Sequence, residues 1–315
     1  MRAPELWRVA SEFLAEAQDD ATVVAVKAQE DVGLDIVTDG EIRRESYSNY
    51  FATALDGIDI EQPGTALDRS GHPTAVPRVV GPIRRKQVVQ VRDLLFLKQC
   101  TDRLVKVTVP GPFTMSQQAQ NDFYKRPADV AMEFARAVND EIRDLVKAGA
   151  DVVQIDEPYM QARPQSAREY GIAALNAALE GIDGTVAVHI CFGYAAIIHE
   201  RPSGYSFLTE LSGCTCKQIS LETAQSNLDC AVLAKLPGKQ IILGCLDLSD
   251  MTVETPAQVV RRVERALKFV GPERLILAPD CGMKYLPRDV AIGKLRAMVA
   301  AAGSLREKYS AGTSV

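Results

Sequence analysis

Thr185-Val186-Ala187-Val188-His189-Ile190-Cys191 is an apolar run that closes on a histidine and a cysteine. Gln218-Ile219-Ser220-Leu221-Glu222 is a second run, closing on a carboxylate. Leu275-Ile276-Leu277-Ala278 is a third, followed by Pro279-Asp280-Cys281-Gly282. Short continuous apolar runs of this kind read as strands of a parallel sheet buried on both faces. In an α/β barrel, a residue just past the C-terminal end of such a strand lies at the mouth, where chemistry is done. His189, Cys191, Glu222 and Cys281 together supply the nitrogen, sulfur and oxygen donors of a tetrahedral zinc site. Two thiolates favour zinc over magnesium or calcium.

Each ligand is weak evidence alone. His189 and Cys191 stand two apart, so on a strand they face one side and can reach one ion. A single strand histidine is more often a hydrogen-bonded core residue, and a free cysteine is among the most buried residue types. A carboxylate ending an apolar strand is costly to bury without a partner, which for Glu222 could equally be a lysine or arginine. Together they are stronger, because all four fall at C-terminal strand ends of the same inferred barrel. Cys214 and Cys216 form a competing pair, but they precede their strand and belong at its other end. Cys245, near a strand end, is the closest rival to Cys281.

Working outward, strand and helix patterns alternate along the chain. Strands are predicted at 35–39, 104–109, 151–155, 185–190, 218–221, 240–245 and 274–278. Helices are predicted at 21–32, 128–148, 167–179, 227–236, 256–270 and 287–301. Repeated βα units imply a parallel sheet flanked by helices. Seven units are one short of a closed (β/α)8 TIM barrel. With 315 residues and 47% hydrophobic content, a single catalytic barrel over 1–315 is expected. The segment at about 57–90 reads as an irregular insertion or an extended hairpin over the mouth. The tail from Ser304 reads as frayed.

Composition narrows the function classes. No apolar stretch approaches the ~20 residues of a membrane span. A net charge of −5 gives no footprint for nucleic acid or an anionic membrane. Seven cysteines, an odd number in a large domain, argue against a disulfide framework and for the cytoplasm. A second acidic group ends two other strands: Asp39-Gly40-Glu41 and Asp156-Glu157-Pro158. Such carboxylates can hold an ammonium or transfer protons, or can simply be solvated loop acids.

Taken in order, Gly33–Glu41, Asn49-Tyr50-Phe51, Val153–Pro158, His189–Cys191, Ile219–Thr223 and Ala278–Lys284 resemble the catalytic barrel of cobalamin-independent methionine synthases, in the form of a short core-type member. The resemblance implies zinc held by His189, Cys191, Glu222 and Cys281. It implies that Glu41 and Asp156 bind homocysteine, and that the reaction moves a methyl group to the zinc-bound homocysteine thiolate.

Three departures from the family pattern stand out. The family's opening T-x-x-G-S-x-P strand would lie before Met1, so the resemblance implies that the first strand of the TIM barrel is truncated or missing, which accounts for seven units. The additional N-terminal barrel of the long enzymes is absent. The histidine after the seventh strand is replaced by Leu246-Asp247-Leu248-Ser249, which makes Asp247 the candidate for proton transfer. No tryptophan stands near Pro110–Met115, where one covers the folate in the long enzymes. The methyl donor is therefore open between methyl-folate and a methylated corrinoid. Alkyl transfer to coenzyme M, as in epoxyalkane–coenzyme M transferases, is an alternative, because Arg43, Arg44 and Arg163 could bind a sulfonate. A metal-free uroporphyrinogen-decarboxylase-like barrel and a non-catalytic zinc-binding barrel are the remaining readings.

Overall fold

The computed structural model describes residues 7–69, 71–192, 204–205 and 208–310. Ten strands are present among them: β1 Ile36–Val37, β2 Asp56–Leu67, β3 Pro73–Arg84, β4 Leu104–Pro110, β5 Gln120–Asn121, β6 Val152–Asp156, β7 Val186–Ile190, β8 Gln218–Glu222, β9 Gln240–Leu246 and β10 Leu275–Pro279. Seven of these form one curled sheet in the order β1-β4-β6-β7-β8-β9-β10. Every neighbouring pair in it is parallel. The fold is thus TIM-barrel-like with one strand missing, and all strand C-termini meet on one face.

The seven strands coincide with the seven predicted runs, with ends shifted by a residue or so. The exception is β1, which pairs only Ile36 and Val37 with Leu104 and Val105. Side chains alternate across the sheet. Val105, Val107 and Val109 of β4 face the helices, as do Val153 and Ile155 of β6 and Val186, Val188 and Ile190 of β7, all in the main core. Val152, Ala187 and Ile242 form a small separate cluster with Ile276 and Ala278 inside the barrel.

The helix Pro127–Lys147 shows how the outer layer is specified. Val130, Phe134, Val138, Ile142 and Leu145 recur at helical spacing and are buried, giving one apolar stripe. Pro127 stands in its first turn, where a missing N–H costs nothing. Truncating Phe134 to alanine here is expected to cost about 3–5 kcal/mol. The helix Pro256–Leu267 starts at Thr255, which with Gln258 forms a capping box, two orphan donors being met reciprocally.

Two local expectations differ from the structure, and a third is resolved between its alternatives. Residues 227–236 form only a 3-10 turn at Cys230–Lys235. Asn227 is in the left-handed region and Asp229 caps the turn, so the helix starts late, and Pro237-Gly238 ends it. Residues 304–310 are not frayed, since the last helix runs from Arg288 to Ser310 and buries Leu305; residues 311–315 of the tail lie outside the described residues. In the segment at about 57–90, read as an irregular insertion or an extended hairpin, Asp56–Leu67 and Pro73–Arg84 pair antiparallel as a hairpin, β2 on β3, and the Asp68 carboxylate after β2 accepts from the His72 backbone N–H. β5 pairs parallel to β3 and completes a second, three-stranded sheet.

Candidate metal centre and the mouth around it

His189 ends β7, Cys191 follows it, Glu222 ends β8 and Cys281 follows β10. One ligand atom from each lies within 4.8 Å of the others, and no other side chain joins the group among the described residues. The Cys191 and Cys281 sulfurs are 3.4 Å apart. A tetrahedron with bonds of roughly 2.0–2.3 Å has edges of about 3.3–3.8 Å. The spread is slightly wider than the roughly 4 Å expected of such a set, and closure needs shifts of about 1 Å. Cys245 is not in the group: its sulfur turns to the Ala278 carbonyl.

The surroundings suit a cation. Burial and the nearby Lys106 ammonium push His189 down to about 4, so its imidazole is neutral at pH 7 and able to ligate. Its Nδ1 lies 2.9 Å from Ser220 Oγ. With the proton on Nδ1, Nε2 is the ligand nitrogen, the usual way a neighbour fixes the tautomer. The hydrogen bond to Cys281, then burial, raises the Cys191 thiol well above its ordinary range. A thiol held protonated in this way is a poor nucleophile, whereas a coordinated divalent metal deprotonates a thiol outright. Glu222 is fully buried and accepts from the Phe192 N–H. The Tyr205 hydroxyl accepts from Glu222 N–H and donates to the Ile190 carbonyl, joining the ends of β7 and β8. Soft donors, a neutral imidazole and a buried carboxylate fit zinc as the metal.

Beside this group stand the two acidic motifs, and each splits into one supporting and one pocket-facing residue. Glu157 is buried and accepts from the Phe113 and Thr114 N–H groups and the Thr114 hydroxyl, capping the short helix Pro112–Gln117. Burial pushes it up to about 7 despite these donors. Gly111 is required there, because a Cβ would come within 2.1 Å of the Glu157 carboxyl carbon. Asp156, one residue earlier, faces the interior and is aligned with His189 across β6 and β7. Burial, then the adjacent Glu41 carboxylate, raises Asp156 to about 7. Repelling carboxylates favour an incoming cation.

In the other motif, Asp39 pairs with Arg44 at 2.8 Å. Arg44 also donates to the Thr108 carbonyl of β4. Glu41 has φ 54°, a strained conformation for a side-chain-bearing residue. The Asp39 carboxylate accepts from its N–H at 3.0 Å, and this turn aims Glu41 toward Asp156.

Arg43 is buried against Asp19 and Asp93, and Arg163 donates to Gln117 and the Leu67 carbonyl. With Arg44 on Asp39, these three arginines are engaged by the protein rather than directed at a ligand. Two residues near the site escaped sequence reasoning. Arg69, from the hairpin, lies over the Tyr159 ring at 5.9 Å and close enough to act on Cys191. Asp280 is buried and accepts from the N–H groups of Thr223, Ala224 and Gln225. It fixes the loop after Glu222 and is itself raised to about 6 by burial. Gly244 makes room for it, since a Cβ there would lie 2.4 Å from its oxygen. The adjacent Pro279 and Cys281 are the signal that could have marked Asp280. Asp247 follows β9 and is half-buried, with one carboxylate oxygen accepting from Ser249 N–H and Oγ.

Residues 8–304 match the family described as the catalytic domain of cobalamin-independent synthase. The chain belongs to that family. It is 32% identical over 315 residues to a methionine synthase of Sulfurisphaera tokodaii, covering 98% of this chain and 88% of the relative. A B12-independent methionine synthase from Shewanella sp. W3-18-1, solved with selenomethionine, superposes with a TM-score of 0.91 at 33% identity, over 97% of this chain and 92% of that one. A putative vitamin-B12-independent methionine synthase from Listeria monocytogenes shares the fold with a TM-score of 0.73 at 22% identity, over 96% and 92% of the two chains. Membership of the cobalamin-independent synthase family makes the chain a methyltransferase-type enzyme. No helix among the described residues is long and apolar enough to cross a membrane.

Proposed function

We propose that this chain is a zinc-dependent methyltransferase that moves a methyl group to the thiol of homocysteine, giving methionine. The observation that carries the reading is a four-donor metal group beside a pair of interior carboxylates on one mouth. His189, Cys191, Glu222 and Cys281 hold the metal. Zinc bound there supplies the charge that keeps a coordinated thiol in its thiolate form at neutral pH. Glu41 and Asp156 bind the substrate ammonium and so orient its sulfur. The methionine synthases named above support this substrate class. The engagement of Arg43, Arg44 and Arg163 by protein partners speaks against a sulfonate thiol such as coenzyme M.

For the donor, the reading favours a methylated corrinoid or another activated methyl carrier over methyl-folate. A methyl leaving a tertiary amine nitrogen needs proton assistance, and one leaving cobalt does not. Asp247 is the candidate for that assistance, with one oxygen already used by Ser249. A 315-residue barrel domain acting in a reducing cytosol suits seven free thiols.

The test is metal analysis followed by a donor screen. Methyl-folates, methylcobalamin and small epoxides are each offered with homocysteine and with coenzyme M. One zinc per chain and methionine from methylcobalamin are expected. Alkylated coenzyme M as the preferred product overturns the reading. Turnover with methyl-folate at about 1 per second or faster overturns the donor assignment alone.

A further inference from the structure

A barrel lumen is ordinarily filled by branched aliphatic side chains. Here β4 and β6 place Lys106 and Gln154 in it. Lys106 alternates with Val105 and Val107, which are buried in the outer core, so it must point inward. Gln154 is two residues before Asp156 and shares its face. Lys106 Nζ donates to Gln154 Oε1 at 2.8 Å. Gln154 Nε2 donates to Asp156 Oδ1 at 2.8 Å. With Lys106 as an ammonium, which has only donors, and Asp156 as a carboxylate, which has only acceptors, the amide between them has one orientation that satisfies both. β4 also holds the opposite carboxylate, because the Thr108 carbonyl accepts from Arg44, which grips Asp39 in the turn carrying Glu41.

We propose that Lys106 and Gln154 are positioning residues that hold the Asp156 carboxylate in place for the substrate ammonium. The proposal rests on the amino-acid-thiol reading above. The relay occupies one Asp156 oxygen and leaves the other for the ligand. It also sets the Lys106 amine behind two acids that must stay close together; burial lowers that amine's pKa, and the Asp156 and Glu41 charges oppose the lowering. An ammonium held at Asp156 fixes the substrate sulfur relative to the metal group, so the relay controls which thiols are accepted and not the reactivity of the thiol.

The discriminating probe is 4-mercaptobutyrate, which is homocysteine without its amino group. Affinities of both thiols are measured by calorimetry on the zinc-containing full chain. Wild type is expected to favour homocysteine. Lys106→Met is expected to weaken homocysteine by about tenfold while 4-mercaptobutyrate changes by less than about twofold, with zinc content kept. Lys106→Arg, which retains a donor, restores most of the preference. Gln154→Glu is the second variant should Lys106→Met not fold. It keeps the contact to Lys106 but turns a carboxylate on Asp156, and it too is expected to lose the preference. Equal weakening of both thiols, or an unchanged preference in both variants, overturns the relay alone. A wild type that binds the two thiols equally overturns the ammonium site and the relay with it.

Discussion

Two cysteine pairs sit at opposite ends of the same sheet, and they differ in almost every respect that matters for chemistry. Cys214 and Cys216 are two residues apart, just before β8 at its N-terminal end. Their backbone carbonyls are both gripped by the Lys239 ammonium. Cys216 and Lys217 line two open cavities of about 540 Å³ each, but neither cavity gathers an imidazole and carboxylates around a thiol. Cys191 and Cys281 are ninety residues apart and meet at 3.4 Å with His189 and Glu222 beside them. Closeness in sequence makes a pair. A metal centre needs donors of different hardness brought to one point, and here the C-terminal ends of β7, β8 and β10 in one curled sheet do that.

The largest expected effect is the sharpest test of this contrast. Cys191→Ser and Cys281→Ser are expected to lose zinc and at least about a thousandfold in rate, as removal of a catalytic metal implies. Their melting temperature should move little, because the barrel core forms without the ion. The double variant Cys214→Ser/Cys216→Ser should keep one zinc per chain by elemental analysis, and loss of zinc there would invert the assignment. Apo-protein melting tens of degrees lower would make the ion structural.

Next in size is Asp156→Asn. Homocysteine affinity should fall about tenfold to a hundredfold, since a charge-assisted contact is lost, while zinc content stays at one. Equal loss of both would place Asp156 behind a metal ligand and not on the substrate.

Lys239→Met tests the other end of the sheet. It removes hydrogen bonds from an ammonium to two buried carbonyls, at a cost of about 1.5–3 kcal/mol in chemical denaturation. Metal content and rate should be unchanged.

The smallest effect is a pH dependence. Asp156 titrates near 7 in the folded chain, raised by burial and Glu41 from an ordinary 3.8. Between those values the folded state binds more protons than the unfolded state, so this group's contribution to stability falls as pH rises through that window. Asp156→Asn lacks the group. The melting temperature of ligand-free wild type relative to Asp156→Asn should therefore drop between pH 5 and pH 8. A flat difference would mean that Asp156 is not held in the environment described. Homocysteine, by bringing an ammonium to Asp156, should reduce that drop.

The parallel sheet was legible because its strands are buried on both faces and so read as unbroken apolar runs. The four candidate metal donors were legible because each closes or follows such a run. The carboxylate motifs were only half legible. Asp156 and Glu157 are chemically alike and adjacent, and alternation sends one into the lumen and the other onto a helix N-terminus. The helix expected at 227–236 failed because a left-handed Asn227 and the Asp229 cap are local hydrogen-bonding choices that apolar spacing does not report. Residues 304–310, expected to fray, are helical because Leu305 finds a place in the core, a tertiary contact invisible to composition.

By itself, the order of residues determined the βα alternation, the buried strands and the donor types at their ends, since periodicity and side-chain chemistry are local properties. Tertiary structure alone decided which donors converge, that Cys281 and not Cys245 joins His189, Cys191 and Glu222, and that Arg43, Arg44 and Arg163 are spent on protein partners. It also decided that Lys106, Gln154 and Asp156 form one chain of hydrogen bonds. These are matters of distance and direction between segments tens of residues apart, set by register and by the packing of helices outside the sheet.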